Sequence, residues 1–356
     1  MGDAVGVVSW PDGVHGTVSQ GQRVVLISGS IGAGHDGAAC EIARRFELAG
    51  YDVSRHDFLD LLPGRVGGWL KSAYRFQLLG APRTWGWVLA AFGRPGWLAT
   101  LTRCLAALAG RRTLRVIGLD AQAVVSTYPL ASQVLGRLRR SGRLQTPVAT
   151  FLTDMSVHPL WVSPGVDTHW ALHAVAAADA ENLGAGPVDV VGPAVSPSFR
   201  SARSTQERRR ARSVFGLPAT PPLALVVAGS WGVGDVVHAA RDIASTGLAI
   251  PVLLCGLNQR LRQQWETEES GLALDWVSDM PTLLLAFDVV VQNAGGLTSL
   301  ESRAAGLPVV TYRCLPGHGA TNAAALDRAG WADWARSPDQ LAALLSAALC
   351  LQKVPA

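Results

Sequence analysis

The stretch RVVLISGSIGAGHDGAACEIARRF, Arg23 to Phe46, decides the fold. It begins with an apolar run of the kind a strand needs when both faces of a parallel sheet are covered. A glycine-rich turn follows, and then a helical pattern from Ala38 to Leu48. Gly32, Gly34 and Gly37 fit the G-x-G-x-x-G spacing of a dinucleotide loop, and Asp57 lies about 20 residues on, where the acid that holds a ribose belongs. His35 sits inside that loop, an imidazole where a pyrophosphate needs bare backbone. The loop therefore reads either as a nucleotide cradle or as a turn that brings His35 to some other substrate.

Strand-like and helical segments keep alternating on both sides of this unit. Tyr51–Phe58, Ala123–Ser126 and Pro147–Thr153 read as strands, with a helix around Ala131–Arg140. A second series opens after Gly192-Pro193, with strands expected at Leu223–Ala228, Ile250–Cys255, Leu274–Val277, Val289–Gln292 and Pro308–Tyr312. Short apolar strands separated by helices predict βαβ units in open α/β sheets. The organisation expected is a loose leader over 1–22, a first domain over 23–195, a linker over 196–218 that ends as a charged helix, and a second domain over 219–356. Each domain opens with a strand and a Gly-rich turn, and a cleft between the two is the expected site.

At 356 residues with 49% hydrophobic content, two ordinary cores are affordable. The five cysteines are odd in number and never spaced C-x-x-C, which points to a reducing compartment and away from disulfides or zinc. Leu61 to Leu119 holds nine basic residues and no Asp or Glu, leaving 22 basic against 27 acidic residues elsewhere. Arg65, Lys71, Arg75, Arg83, Trp85 and Trp87 lie in this segment. Cations interleaved with Trp and Leu suit an anionic membrane surface, because charges meet headgroups while indoles sit at the acyl boundary. The uncharged run Thr84–Gly93 is far short of the roughly 20 residues that cross a bilayer. A helix face that packs on the core and turns its charges to water would have the same composition. No nucleic-acid-binding motif accompanies the charge.

Two further stretches carry chemistry. In ATFLTDMSVHPLW, 149–161, Asp154 and His158 follow an apolar strand, at the carboxyl end where open α/β sheets bind ligands, and together can make a general base. In QNAGGLTSLESRAAGLPVVTY, 292–312, a strand ends at Gln292, Gly295-Gly296 turn, and Thr298 and Glu301 enter a helix. The amides of such a helix start suit a phosphate, and Glu301 one turn later suits sugar hydroxyls. A nucleoside diphosphate has both.

With these residues in place, the chain resembles the GT-B glycosyltransferases of the family of monogalactosyldiacylglycerol synthase and the processive diacylglycerol glucosyltransferases, and more distantly MurG. The resemblance rests on SGSIGAGHDGAA, HDFLDLLP, YRFQLLGAPRTWGW, VVSTYP, TDMSVHPLW followed by VDTHW, GPAVSPSF, AGSWGVG, VLLCGLN, GGLTSLES and LPGHGATNA, in that order. It implies two Rossmann-like doubly wound domains facing across a cleft, with a UDP-sugar bound mainly by the second and a lipid acceptor mainly by the first. Gly32 and Gly34 would then face the acceptor, and His35, or the Asp154/His158 pair, would be the catalytic base. Ser230, Gly232, Gly256, Asn258, Gly295, Gly296, Thr298, Glu301, His318 and Asn322 would bind the donor. The family pattern has Lys-Pro-Gly where this chain has Asn293-Ala294-Gly295, and Pro-Gly-Gln-Glu where it has Pro316-Gly317-His318-Gly319.

The expectation is inverting transfer of a hexose from a UDP-sugar to a diacylglycerol-like acceptor, without metal or cofactor, on the cytoplasmic face of the cell membrane. A soluble acceptor, a UDP-sugar epimerase and a non-catalytic sugar-nucleotide-binding protein are the competing readings.

Overall fold

A computed structural model describes residues 10, 21–30, 33–80, 97–202, 204–227, 229–269, 271–293 and 295–351. Gly32, Arg83, Trp85 and Trp87 lie outside the described residues, as does the side chain of Arg75. The chain divides into two compact units, Met1–Ala194 and Val195–Ala356.

The first unit is a six-stranded, all-parallel sheet in the order β2-β1-β3-β4-β5-β6. Its strands are β1 (Arg23–Ser28), β2 (Asp52–Asp57), β3 (Ala121–Ser126), β4 (Val148–Phe151), β5 (Thr168–Ala171) and β6 (Val188–Val190). Its helices are α1 (Ala33–Leu48), α2 (Phe58–Leu61), α3 (Val66–Gly80), α4 (Trp97–Ile117), α5 (Pro129–Arg140) and α6 (Ala174–Asn182). Val24 to Ile27 are fully buried, as the unbroken apolar run of β1 requires. Pro129 opens α5, where its missing N–H costs nothing, and Arg137, Arg139 and Arg140 close it against the helix dipole. The chain reverses its direction of strand addition at β1, placing β2 on one side and β3 on the other. The crevice beside their carboxyl ends is where such sheets hold ligands.

The second unit repeats the plan in the order β12-β11-β10-β7-β8-β9. It comprises α7 (Thr205–Val214), β7 (Leu223–Val227), α8 (Val236–Ser245), β8 (Ile250–Leu254), α9 (Gln259–Glu268), β9 (Leu272–Leu274) and α10 (Met280–Leu285). β10 (Val289–Gln292), α11 (Leu297–Ala304), β11 (Val309–Thr311), α12 (His318–Arg328), β12 (Asp333–Trp334) and α13 (Pro338–Leu351) complete it. Its switch point lies between β7 and β10.

Three expectations change. The helix after β1 begins at Ala33 rather than Ala38, so His35 stands on the first turn of α1 and not in an open loop. Trp10, within the stretch read as a loose leader, stacks on Phe151 at 5.4 Å between ring centroids and meets Trp170 edge-on at 5.0 Å. The guanidinium of Arg45 lies 5.3 Å from its ring centroid. The stretch read as a linker is fastened to the second unit: Arg208 and Arg212 both pair with Asp288, at 2.7 and 2.6 Å. Arg212 is buried and also donates to the carbonyls of Ala286, Ala219 and Pro221, while Asp288 accepts from the Leu223 amide at 2.7 Å. A buried pair such as Arg212–Asp288, tied by several further hydrogen bonds to the backbone, is held firmly in place.

Candidate active site

In the first unit the carboxyl ends of β1, β3 and β4 converge on His35. Its Nδ1 donates to the carbonyl of Thr127 at 2.9 Å, and Thr153 Oγ1 lies 2.9 Å from the same nitrogen. A carbonyl can only accept, so Nδ1 carries the hydrogen, shared with the Thr153 oxygen, and Nε2 keeps the lone pair. Thr127 returns a bond from Oγ1 to the His35 carbonyl at 3.3 Å. The ring packs edge-on against Tyr128 at 5.4 Å and tilted against Trp161 at 5.9 Å. Burial holds the imidazolium of His35 below its usual pKa, with Asp154 the largest opposing influence. The ring is therefore neutral near pH 7, with a basic nitrogen ready.

Asp154 and His158 also belong to this cluster, in a different relationship from the dyad expected. The Trp161 indole donates to Asp154 Oδ2 at 2.7 Å, and His158 Nε2 stands 3.5 Å from the same oxygen. Asp154 thus fixes the aromatic wall beside His35, and its shorter bond is to Trp161. Trp161 carried no signal as a site residue in the sequence; a Trp seven residues after an acid needs the short 3-10 turn at Pro159–Trp161 to fold back on it.

The dinucleotide reading of the Gly-rich stretch fails on two acids. Asp36 lies in the first turn of α1, where it accepts from Ser28 Oγ at 2.8 Å and would repel a pyrophosphate. Asp57 caps α2 through the Leu59 amide at 2.9 Å and also accepts from the Ser30 amide at 3.4 Å, so it is engaged inside the protein.

The second unit gathers the other predicted residues at the carboxyl ends of β7, β8 and β10. Gly232 and Gly256 both have positive φ, +59° each, and their loops pack closely: a Cβ at Gly256 would lie 2.5 Å from the Ser230 carbonyl oxygen. Asn258 caps α9 through the Leu261 amide at 3.1 Å and donates from Nδ2 to the Gly232 carbonyl at 3.0 Å. Its side chain welds two loops. Asn293, where the family pattern has Lys, does the same by donating to the Val233 carbonyl at 2.7 Å. The Cys255 thiol is pushed up to about 12 by burial and stays protonated.

Gly295 is exposed, and Gly296, which has no side chain to cap with, precedes α11, so the first amides of that helix carry no side-chain cap. Thr298 lies half-buried in its first turn. Glu301 follows one turn on; no described residue bonds to its carboxyl, and burial pushes its pKa up to about 7. His318 and Asn322 meet on α12, with Asn322 Nδ2 donating to His318 Nε2 at 3.3 Å. Gly317, at φ 78°, supplies the left-handed turn ahead of them.

On α3, Arg65 just before it, Lys71 and Trp69 are exposed, Trp69 to 67%. Lys71 Nζ donates to Ser30 Oγ at 3.2 Å, in the turn that leads to His35. Among the described residues no helix is long and apolar enough to cross a membrane.

Comparison with known proteins follows these two sites. Residues 35–195 match the monogalactosyldiacylglycerol (MGDG) synthase family. A processive diacylglycerol beta-glucosyltransferase of Bacillus pumilus is 25% identical over 208 residues, 56% of this chain and 53% of that protein. One of Bacillus cereus is 26% identical over 238 residues, 64% of this chain and 59% of that protein. The match therefore spans only a little over half the length of these relatives. Among solved structures, Acinetobacter baumannii MurG superposes with a TM-score of 0.54 at 18% identity, covering 92% of this chain and 90% of its own. TcCGT1 in complex with UDP superposes with a TM-score of 0.56 at 13% identity, covering 92% of this chain and 90% of its own. Two parallel-sheet units share the GT-B fold with these solved structures, and the segment that carries His35, Asp154 and His158 is similar to the monogalactosyldiacylglycerol synthase family and to the processive diacylglycerol glucosyltransferases.

Proposed function

We propose that the protein transfers a hexose from a UDP-sugar to the hydroxyl of a diacylglycerol-like lipid at a membrane surface, with inversion at the anomeric carbon and without a metal. The observation that carries this reading is the locked tautomer of His35: a neutral imidazole whose Nδ1–H is held by Thr127 and Thr153 presents Nε2 as a base. In the reaction, Nε2 takes the proton of the acceptor hydroxyl as its oxygen bonds to the anomeric carbon. The bond from that carbon to the β-phosphate breaks, and UDP leaves with the electron pair. Attack opposite a departing group inverts configuration.

The second unit supports the donor half. The uncapped amides at the start of α11 suit the diphosphate and would stabilise its developing charge, and Glu301 suits the ribose diol. The relatives named as diacylglycerol glucosyltransferases support the lipid acceptor, and the UDP in the TcCGT1 structure supports the nucleotide. The exposed Arg65, Trp69 and Lys71 support work at the inner face of the cell membrane.

The test is product analysis. Full-length protein is incubated with UDP-glucose or UDP-galactose and diacylglycerol in anionic vesicles, and the lipid fraction is examined for a β-linked hexose. A glycolipid of β configuration is expected. Release of UDP that is indifferent to the lipid, or conversion of one UDP-sugar into another, would overturn the reading.

A further inference from the structure

Beneath His35 lies a chain of three hydroxyls with no apolar reason to be there. Ser126 at the end of β3, Ser132 on the first turns of α5 and Thr150 in β4 are each completely buried. Thr150 Oγ1 donates to Ser132 Oγ at 3.0 Å, Ser132 Oγ donates to Ser126 Oγ at 2.9 Å, and Ser126 Oγ donates to the Tyr128 carbonyl at 3.0 Å. Ser132 Oγ also lies 3.3 Å from the Tyr128 carbonyl, so its one hydrogen has two acceptors, the nearer being Ser126 Oγ, and all three hydroxyls converge on the backbone of Tyr128 and polarise one another. Ser126 Oγ accepts a second bond, from the amide N–H of Tyr128 at 3.3 Å.

That amide belongs to the same planar peptide unit as the carbonyl of Thr127. One edge of the unit is thus gripped by Ser126, and the opposite edge receives Nδ1–H of His35 at 2.9 Å. The plane cannot turn on one side without turning on the other. The ring of Tyr128 adds a steric stop: a Cβ at Gly29 would come within 2.6 Å of it, so the ring lies directly on the β1 turn. Ala at the two serines and Val at the threonine would nearly keep the shape of the core, but would take away the side-chain acceptor of the Tyr128 amide. What the hydroxyls add is an orientation of the 127–128 peptide.

We infer that Thr150, Ser132 and Ser126 are positioning residues for His35, which act through the 127–128 peptide to keep the hydrogen on Nδ1 and the lone pair on Nε2. The inference rests on the reading of His35 as the base only for its catalytic meaning; the tautomer lock itself is a property of the resting protein.

The test uses full-length protein with 15N-labelled histidine, whose ring nitrogen shifts report the tautomer directly, together with the pH profile of kcat. The parent is expected to show His35 protonated at Nδ1 and bare at Nε2. Ser126→Ala removes the acceptor of the Tyr128 amide, and is expected to mix the two tautomers and lower kcat about tenfold with the KM for donor unchanged. Thr150→Val, one step further back, is expected to give the same change in smaller measure, while Thr150→Ser, which keeps the hydroxyl, is expected to restore the parent spectrum and rate. Thr150→Val also preserves shape, so it stays informative where Ser126→Ala fails to fold. A parent spectrum left unmoved by both Ser126→Ala and Thr150→Val overturns the inference, whatever the rates. If the tautomer shifts in the variants while His35→Gln retains full turnover, the coupling stands and His35 is not the base.

Discussion

The two candidate sites occupy equivalent places, the switch points of two doubly wound sheets, yet their polar groups are in opposite states. In the first unit the polar groups that define the site are held within the protein: Nδ1 of His35 has Thr127 and Thr153, Asp154 has Trp161, and Asp57 has the start of α2. In the second unit the amides at the start of α11 have no capping side chain and Glu301 has no partner among the described residues. A group that performs a step must be oriented before substrate arrives, because its precision is set by what holds it. A group that binds must keep its hydrogen-bonding capacity for the ligand. The contrast is what the proposed division requires, with chemistry in the first unit and nucleotide in the second.

The largest effect that contrast predicts is at His35. Replacing it with Ala should lower turnover by roughly 10²- to 10⁴-fold while UDP binds as before, measured by steady-state rates and calorimetry on the same samples. Loss of UDP affinity in that variant would erase the division of labour between the units.

Proton linkage separates the two regions next. His169 in β5 is buried, and burial drives its pKa from the ordinary 6.5 down to about 4. The unfolded chain then takes up a proton that the folded chain refuses. Stability from this residue is whole above about pH 6.5 and drains away towards pH 4 at up to about 1.4 kcal/mol per pH unit. Between pH 7.5 and pH 5 the urea midpoints of His169→Leu should fall less, or rise more, than those of the parent, the difference between the two being the contribution of His169. An unchanged slope in the variant would remove His169 from the account.

Glu301 has the opposite sign. Its pKa is raised, so the folded protein holds a proton the unfolded chain releases, and stability declines as pH climbs from about 4.5 to about 7. A ribose diol donating into the carboxylate favours the ionised form, so UDP affinity should weaken below about pH 7. Glu301→Ala should cost roughly 1–3 kcal/mol of UDP binding, and Glu301→Gln should remove its pH dependence, both by titration calorimetry. A dissociation constant untouched by either change would take the nucleotide away from α11. The smallest effect concerns the outside of the first unit: Arg65→Gln and Lys71→Gln should each weaken binding to anionic vesicles by about 1 kcal/mol, read by sedimentation at low salt. Binding indifferent to both changes and to salt would mean that these cations face only water.

Much of this layout was legible in the sequence because parallel sheets announce themselves through unbroken apolar runs such as Val24–Ile27 and Val289–Val291. The reading slipped where burial and apolarity part company. β9 was expected over Leu274–Val277 and lies at Leu272–Leu274, and Trp276 beyond it is 51% exposed. β5 was missed because Thr168 and His169, polar by type, are buried within it. The site was legible in its residue types and not in its bonds. Thr127 and Thr153 reach His35 from 92 and 118 residues away, a juxtaposition that only the order of strands creates. Asn258, which the resemblance made a donor contact, and Asn293, which departs from the family pattern, both use their amides to join loops that the sheet brings together.

The clasp of Arg208 and Arg212 on Asp288 decides where the chain can be cut. A fragment begun at Ala219, the start of the second domain as composition drew it, would leave the Asp288 carboxylate in the core without either of its arginines. One begun near Val195 keeps both arginines and the carbonyls they tie down. Anyone preparing the second unit alone for calorimetry or NMR should treat α7 as the lock of that unit and leave it attached.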